Sequence, residues 1–193
     1  MIEVQKYTLE SWMIVGALPQ HNLIKQSLVE ALNEQTSDSL LASDNYYSDS
    51  INRVDWSKSS DFTRPWTLIC KPWIDNFLDL IAQRAGYQKA IIEQIWFQQY
   101  LQEGTHGWHT HGSNYTGVYY LELDEQSPKT EIIEPANQSE KFIPSVKEGD
   151  ILLFPSYTIH RAPPVQNNQR KTIISFNFIL DLINPDLLKV LNN

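Results

Sequence analysis

The chain has 193 residues, 41% of them hydrophobic, which is enough for one large domain with a buried core. Its formal net charge of −8, with 15 lysines and arginines, disfavours a nucleic-acid backbone as the main partner. The single cysteine, Cys70, excludes an intramolecular disulfide and a cysteine-rich zinc site. No segment reaches the roughly 18 consecutive apolar residues of a membrane span, and the N-terminus lacks an apolar signal region. We therefore expect a cytoplasmic protein.

The N-terminal ninety residues predict helices separated by a polar connection. Residues 1–18 are compatible with a first strand, and apolar residues recur at helical spacing over 21–33. Residues 34–66 are rich in Ser, Asp and Asn, which predicts either a segment ordered by its aromatic residues or a mobile lid. Pro72 fits the first turn of a second helix over 73–85.

Strands and turns dominate from residue 91 onward. β-Branched and aromatic residues predict a strand over 91–101. Further strands are predicted at 115–123, 129–134, 150–155 and 171–180, and a short helix follows them. Helices followed by a run of strands predict a mainly β fold with flanking helices, built as a sandwich or a barrel.

Four of the five histidines, His106, His109, His111 and His160, lie in or just before this run of strands. If the segment is extended, His109 and His111 present their imidazoles on one face, because side chains alternate along a strand. Neutral imidazole is the commonest transition-metal ligand in proteins. A third ligand must come from elsewhere, and His160 is the natural candidate because it follows the strand that ends at Pro155.

The order of these motifs resembles the double-stranded β-helix of the Fe(II)/2-oxoglutarate-dependent oxygenases, in the prolyl-4-hydroxylase-like superfamily. Within it, the chain is most similar to a group of oxygenases found in bacteria and phages. The resemblance covers about half of the chain and is carried by His109-Thr110-His111, Gly117-Val118-Tyr119-Tyr120-Leu121, Gly149-Asp150-Ile151-Leu152-Leu153-Phe154-Pro155, His160, Arg170 and Ser175-Phe176-Asn177. It implies a single domain: a jelly-roll core over 91–180, a helical and loop flank over 1–90, and a tail over 181–193.

The resemblance also implies Fe(II) as the metal, 2-oxoglutarate as the cosubstrate and O₂ as the oxidant. The first and the distal metal-binding histidines of the family fall on His109 and His160. The family has a carboxylate at the second ligand position, and this chain has His111 there. The shared face of His109 and His111 favours a metal site of three histidines.

Two other ligand sets stay open. A carboxylate from a neighbouring strand, Glu122 or Glu131, completes the triad in one of them, and His111 then binds the substrate. In the other, His106 enters the ligand set and shifts the register of the motif.

The residue that pairs with the far carboxylate of 2-oxoglutarate falls on Arg170 by the same resemblance. A guanidinium suits this role because it is always charged and can bind a carboxylate through two parallel hydrogen bonds. Lys171 is adjacent, and only one of two neighbouring side chains on a strand faces inward. The tyrosines that bind the same carboxylate fall on Tyr120 and Tyr100.

The implied activity is that of a dioxygenase. It couples the oxidative decarboxylation of 2-oxoglutarate, which yields succinate and CO₂, to the hydroxylation of a small molecule or a peptide. The alternatives are a cupin-like metalloenzyme with three histidine ligands and no 2-oxoglutarate, and a non-catalytic binding module on the same barrel. Fold alone does not identify the substrate. The many aromatic residues suit either a core or the interface of a homodimer.

Overall fold

Two antiparallel β-sheets face each other, and two long helices pack on the outer side of the larger sheet. The computed structural model describes residue 5 and residues 11–39, 50–134 and 138–191. The predicted mainly β architecture with flanking helices is confirmed. No helix in the described part of the chain is long and apolar enough to cross a membrane.

The strands are β1 (Ile14–Ala17), β2 (Arg53–Val54), β3 (Tyr87–Tyr100), β4 (His106–His109), β5 (Tyr115–Glu122), β6 (Glu131–Ile133), β7 (Lys141–Phe142), β8 (Asp150–Pro155), β9 (His160–Ala162) and β10 (Lys171–Ile183). The helices are α1 (His21–Glu34), α2 (Pro65–Arg84) and α3 (Pro185–Leu191), with one turn of 3-10 helix at Trp56–Lys58. The larger sheet has the order β1-β8-β5-β10-β3-β2, and the smaller sheet has the order β4-β9-β6-β7.

The larger sheet is buried on both faces, and its side chains alternate between two cores. Phe97 and Ile174 belong to the core under α1 and α2. Trp96 and Ile173, their neighbours in the chain, belong to the core between the two sheets. The alternation follows from the two-residue period of a strand. The candidate site lies in this second core, among side chains that the β-strands hold at fixed positions.

Gly117 on β5 has no room for a side chain, because the helix-facing core packs directly against its backbone. A Cβ atom at this position would lie 2.1 Å from the ring of Phe176 on the neighbouring strand. Only a residue without a side chain fits at this position.

The predicted start of the second helix at Pro72 is wrong, because α2 begins at Pro65 and contains Pro72. Both prolines suit a first helical turn, where the missing N–H is not needed. Pro72 is tolerated inside the helix because it is exposed, so the carbonyl group that it leaves without a partner lies on the solvent side.

Residues 50–66 of the polar connection pack against the larger sheet, where β2 pairs with β3. Asp55 is fully buried and accepts hydrogen bonds from the Arg64 guanidinium, the Trp66 indole N–H and the Phe97 backbone N–H. Burial raises the pKa of this carboxyl group. The lid alternative concerns residues 40–49 as well, and these lie outside the described residues.

Candidate active site

Three histidines from two strands and a loop converge in the space between the sheets. His109 ends β4 and lies opposite His160 on β9, while His111 follows two residues after the end of β4. One ring nitrogen of each lies within 4.8 Å of the others. The Nε2 atoms of His111 and His160 are 3.3 Å apart. Two nitrogens that share a metal at about 2.1 Å each are separated by roughly 3 Å, so this spacing fits a common ion.

Backbone carbonyls fix the tautomers of two of these rings. His109 donates from Nδ1 to the Gly107 carbonyl at 2.7 Å, and His160 donates from Nδ1 to the Thr158 carbonyl at 2.9 Å. A proton on Nδ1 leaves the Nε2 lone pair of each neutral ring available to a metal. Hydrogen bonds of this kind orient metal-binding histidines in proteins.

Burial keeps the imidazoles of His111 and His160 in the neutral form that binds metals. It lowers the pKa of His111 to about 3, with a smaller contribution from His109. It also holds the pKa of His160 well below its ordinary value, again with His109 as the next cause. The Nε2 atoms of these two rings, 3.3 Å apart, therefore belong to neutral imidazoles.

The two carboxylates that were the alternative ligands are turned away and engaged elsewhere. Glu122 accepts two hydrogen bonds from Arg170, at 2.9 and 2.8 Å. Glu131 accepts from Arg161 at 2.7 Å and from Lys141 at 3.0 Å. Neither carboxylate lines the cavity that the histidines enclose. Within the described residues, the group that fits a metal contains only histidines.

His106 lies beside this group and outside it. Its ring stacks on that of His109, with the ring centres 3.8 Å apart and the planes inclined by 16°. Its Nδ1 accepts a hydrogen bond from the Gln98 amide at 3.1 Å, and Trp56 packs edge-on against it at 5.2 Å. Burial lowers the pKa of His106 to about 2. The arrangement makes His106 a neutral wall of the cavity, packed behind His109.

The structure does not bring the predicted anchor, Arg170, to this cavity. Arg170 precedes β10 and is held by Glu122 and by the Asn33 side chain at 2.9 Å. Lys171 faces the opposite way and is 1% exposed. It lies on the same face of β10 as Ile173, which lines the cavity.

Lys171 packs against Tyr100, one of the two tyrosines expected at the site. It lies opposite Tyr100 on β3, and its Nζ is 5.6 Å from the centre of that ring. Tyr100 lines the cavity, and the Tyr120 hydroxyl contacts Thr130 Oγ1 at 2.7 Å, beside it. Nζ donates to the Pro128 carbonyl at 2.7 Å. Burial alone lowers the pKa of Lys171 to about 7.

A family profile described as "Putative 2OG-Fe(II) oxygenase" matches residues 94–177, which contain the three histidines, Lys171 and both tyrosines. Over residues 94–177 the chain is similar to the 2OG-Fe(II) oxygenases. This family uses Fe(II), 2-oxoglutarate and O₂, and the predicted resemblance to 2OG-Fe(II) oxygenases is confirmed over these residues. A comparison with curated protein sequences gives no match.

Solved structures of 2OG-Fe(II) oxygenases share the fold at low sequence identity. The viral collagen prolyl hydroxylase of Paramecium bursaria Chlorella virus-1, solved with 2-oxoglutarate, matches with a TM-score of 0.59 and 14% identity over 86% of this chain and 94% of that one. A prolyl hydroxylase from Trichoplax adhaerens, solved with a hypoxia-inducible factor peptide, has a TM-score of 0.61 and 12% identity over 92% and 86%. These likenesses confirm the double-stranded β-helix.

A third likeness is partial. The 2OG-Fe(II) oxygenase family oxidoreductase of Burkholderia pseudomallei matches at 12% identity with a TM-score of 0.46. The match covers 61% of this chain and 56% of that protein.

Gln98 and Trp96, two further cavity residues on β3, escaped the sequence analysis. The Gln98 amide joins Ser175 on β10 to His106 on β4. Trp96 packs its ring on that of His111, with the ring centres 5.6 Å apart. Gln98 and Trp96 lie two and four residues before Tyr100, so the two-residue period of a strand could have placed them on the same face.

Proposed function

We propose that His109, His111 and His160 together hold the Fe(II) of this oxygenase and that Lys171 binds the far carboxylate of 2-oxoglutarate. The convergence of three imidazoles on one cavity, with no carboxylate among them, supports the proposed metal site. Imidazole nitrogens are suitable ligands for iron, zinc and copper, so the donor set fits Fe(II). This site has one more positive charge than a site with two histidines and a carboxylate.

The second part rests on the burial and the position of Lys171. A lysine that is 1% exposed and has no carboxylate partner among the described residues carries an unfavourable desolvation free energy. A dianionic ligand that enters the cavity offsets this cost, because its carboxylate provides the missing counter-charge. Arg170 is not available for this role, since Glu122 already binds its guanidinium at two positions.

Bound iron and 2-oxoglutarate supply the oxidising chemistry of the family, in which the cosubstrate is decarboxylated to succinate while a substrate C–H bond is hydroxylated. The residues of this chain contribute position and environment. The carbonyl groups of Gly107 and Thr158 orient the rings of His109 and His160. Tyr100 covers Lys171, and the stacked His106 closes the cavity behind His109, which together exclude bulk water.

Anaerobic titration with Fe(II), with and without 2-oxoglutarate, tests these roles. We expect the weak visible charge-transfer band of the chelate to appear only when both are present, and to be lost in His160→Ala. The band should weaken in Lys171→Met and persist in Arg170→Gln. Succinate formation on admission of O₂ would exclude both the cupin-like enzyme without 2-oxoglutarate and the binding module. Loss of the band in Arg170→Gln with retention in Lys171→Met would restore Arg170 as the anchor.

The substrate that we propose is a peptide or a small molecule with an unactivated C–H bond. The support is analogy, since two similar proteins are named as prolyl hydroxylases and one was solved with a peptide. Cys70 is a buried free thiol, the state that a reducing compartment such as the cytoplasm maintains. A bacterial or phage source, a homodimer and the absence of nucleic-acid binding stay predictions from the sequence.

A further inference from the structure

The Trp96 indole is a buried hydrogen-bond donor inside the cavity. The side chain is 4% exposed, and its Nε1 has no hydrogen-bond partner within the described residues. Trp96 lines the cavity together with the three candidate metal ligands. Leaving a buried donor without a partner costs about 1–3 kcal/mol, so a native structure that retains one needs a reason. A ligand oxygen in the cavity supplies that reason.

The position of Trp96 assigns this donor to the metal end of the cavity. Its ring stacks on that of His111, with the planes inclined by 29°, and it lies opposite Ser175 in the sheet. Lys171 lies opposite Tyr100, four residues further along β3, which is roughly 13 Å along a strand. The donor is therefore far from the group that holds the outer carboxylate of 2-oxoglutarate and close to the place where a substrate meets the metal.

The neighbouring polar groups of the cavity already have partners. The Gln98 amide donates to His106 and accepts from Ser175. The Thr116 hydroxyl donates to Asn177 Oδ1 at 3.2 Å and lies 2.8 Å from Ser156 Oγ. No carboxylate lines the cavity in the described part of the chain, so a cationic group would find no counter-charge there. An indole N–H donates and does not accept, so its ligand must offer an acceptor atom.

We propose that Trp96 is a specificity-determining residue whose Nε1–H binds an uncharged carbonyl oxygen of the substrate, as in an amide, beside the carbon that is hydroxylated. The inference rests on the proposed function, since it places the substrate next to the metal held by His111. The indole N–H would favour amides over amines. It would also favour substrates whose hydrogen-bond acceptor lies close to the reacting carbon. In this arrangement Trp96 binds the substrate, and Lys171 binds the cosubstrate.

The test uses the full chain loaded with Zn(II) and 2-oxoglutarate, which permits NMR without turnover. Loading is measured first, by calorimetry, on the wild-type protein and on Trp96→Phe. The indole groups are then labelled with ¹⁵N, the Trp96 resonance is assigned from its absence in Trp96→Phe, and N-methylacetamide, acetate and methylammonium are titrated separately. Trp56→Phe is the matched control, because Trp56 also packs against the site, with its ring 6.4 Å from that of Trp96.

We expect N-methylacetamide to move the Trp96 N–H resonance downfield in a saturable way, with methylammonium inert and acetate weaker. Trp96→Phe should weaken amide binding about fivefold, the equivalent of one hydrogen bond, and leave 2-oxoglutarate affinity unchanged. Trp56→Phe should bind the amide like the wild type. A resonance that responds to 2-oxoglutarate loading and not to the amide would assign the donor to the cosubstrate and overturn the inference. Acetate binding tighter than the amide would overturn the uncharged class, and failure to load at all would remove the proposed function and this inference with it.

Discussion

Lys171 on β10 lies directly opposite Tyr100 on β3, and the lysine Nζ is 5.6 Å from the centre of the tyrosine ring. Tyr100 lines the cavity, four residues along β3 from Trp96, which packs on His111. Within the described residues this buried cation has one hydrogen-bond partner, the Pro128 carbonyl, and no carboxylate, so its desolvation is unfavourable in the free protein. The same cation becomes favourable when a carboxylate arrives, so this relationship connects the stability of the free protein to its affinity for 2-oxoglutarate.

Replacement of Lys171 by methionine should separate those two properties. The change removes the buried charge and keeps much of the side-chain volume. We expect the Kd for 2-oxoglutarate to rise about 100-fold, within the range found when one partner of a buried charge pair is removed. We expect the free protein to become more stable towards urea, because an unpaired buried cation is lost. Arg170→Gln is the matched control and should leave the Kd unchanged; a similar rise in both variants would contradict the assignment.

The affinity for 2-oxoglutarate should fall as the pH rises above about 7. Burial lowers the pKa of Lys171 to about 7 in the free protein, while the bound carboxylate favours the protonated form. Binding above this pH therefore takes up a proton, and affinity falls by as much as about tenfold per pH unit until the pKa of the complex is reached. Calorimetry between pH 7 and 9 should show this slope in the wild type. Lys171→Met should show a flat profile, and an equal slope in both proteins would assign the effect to other groups.

The same pKa has a consequence for folding. Between pH 7 and the ordinary pKa of a lysine, the unfolded chain retains the proton that the native Lys171 has lost. The unfolded state then binds more protons, so the free energy of unfolding rises with pH in this window. The difference between wild type and Lys171→Met in urea melts isolates this contribution, and it should shrink from pH 7 to 9. A difference that grows with pH would contradict the lowered pKa.

Much of the candidate site could be predicted from the spacing of its histidines along the chain. His109 lies opposite His160 in the sheet, and the polypeptide from His109 to His111 spans the short distance to the same space. A motif with two histidines two residues apart, followed by a distal histidine, therefore indicated the three side chains that the structure brings together. The departure from a carboxylate was visible at His111 in the sequence alone.

The choice between Arg170 and Lys171 could not be predicted, because it depends on the register of β10. The two residues are adjacent, so a shift of one residue exchanges their faces. Chemistry favoured arginine, whereas pairing of β10 with β3 places Lys171 inward. The predicted start of α2 was wrong because Pro65 and Pro72 both suit a first helical turn. The helix begins at the earlier proline, where Trp66 and Cys70 are buried in the core.

Replacement of His111 by alanine tests whether three histidines hold the metal. We expect Fe(II) affinity to fall by roughly 100-fold or more, since loss of an outer hydrogen-bond partner alone costs about 10- to 100-fold and a direct ligand contributes more. His106→Ala is the matched control, because His106 is a buried histidine that stacks on His109 without belonging to the ligand group. Its loss should be tenfold or less. Anaerobic equilibrium dialysis measures both, and equal losses would place His106 in the ligand set.

Gly117→Ala should destabilise the larger sheet without touching the cavity. The new Cβ atom would lie 2.1 Å from the Phe176 ring and 2.9 Å from Leu153 Cδ2, so the helix-facing core must shift. Overpacking of this kind costs about 1–3 kcal/mol. Gly112→Ala is the control, because a Cβ atom there meets nothing within 4 Å. Urea melts should show a lower midpoint for Gly117→Ala alone, and Phe176→Leu should recover part of the loss because it removes the ring that the methyl group meets. Because the methyl group points away from the histidines, Fe(II) affinity at low temperature should match that of the wild type.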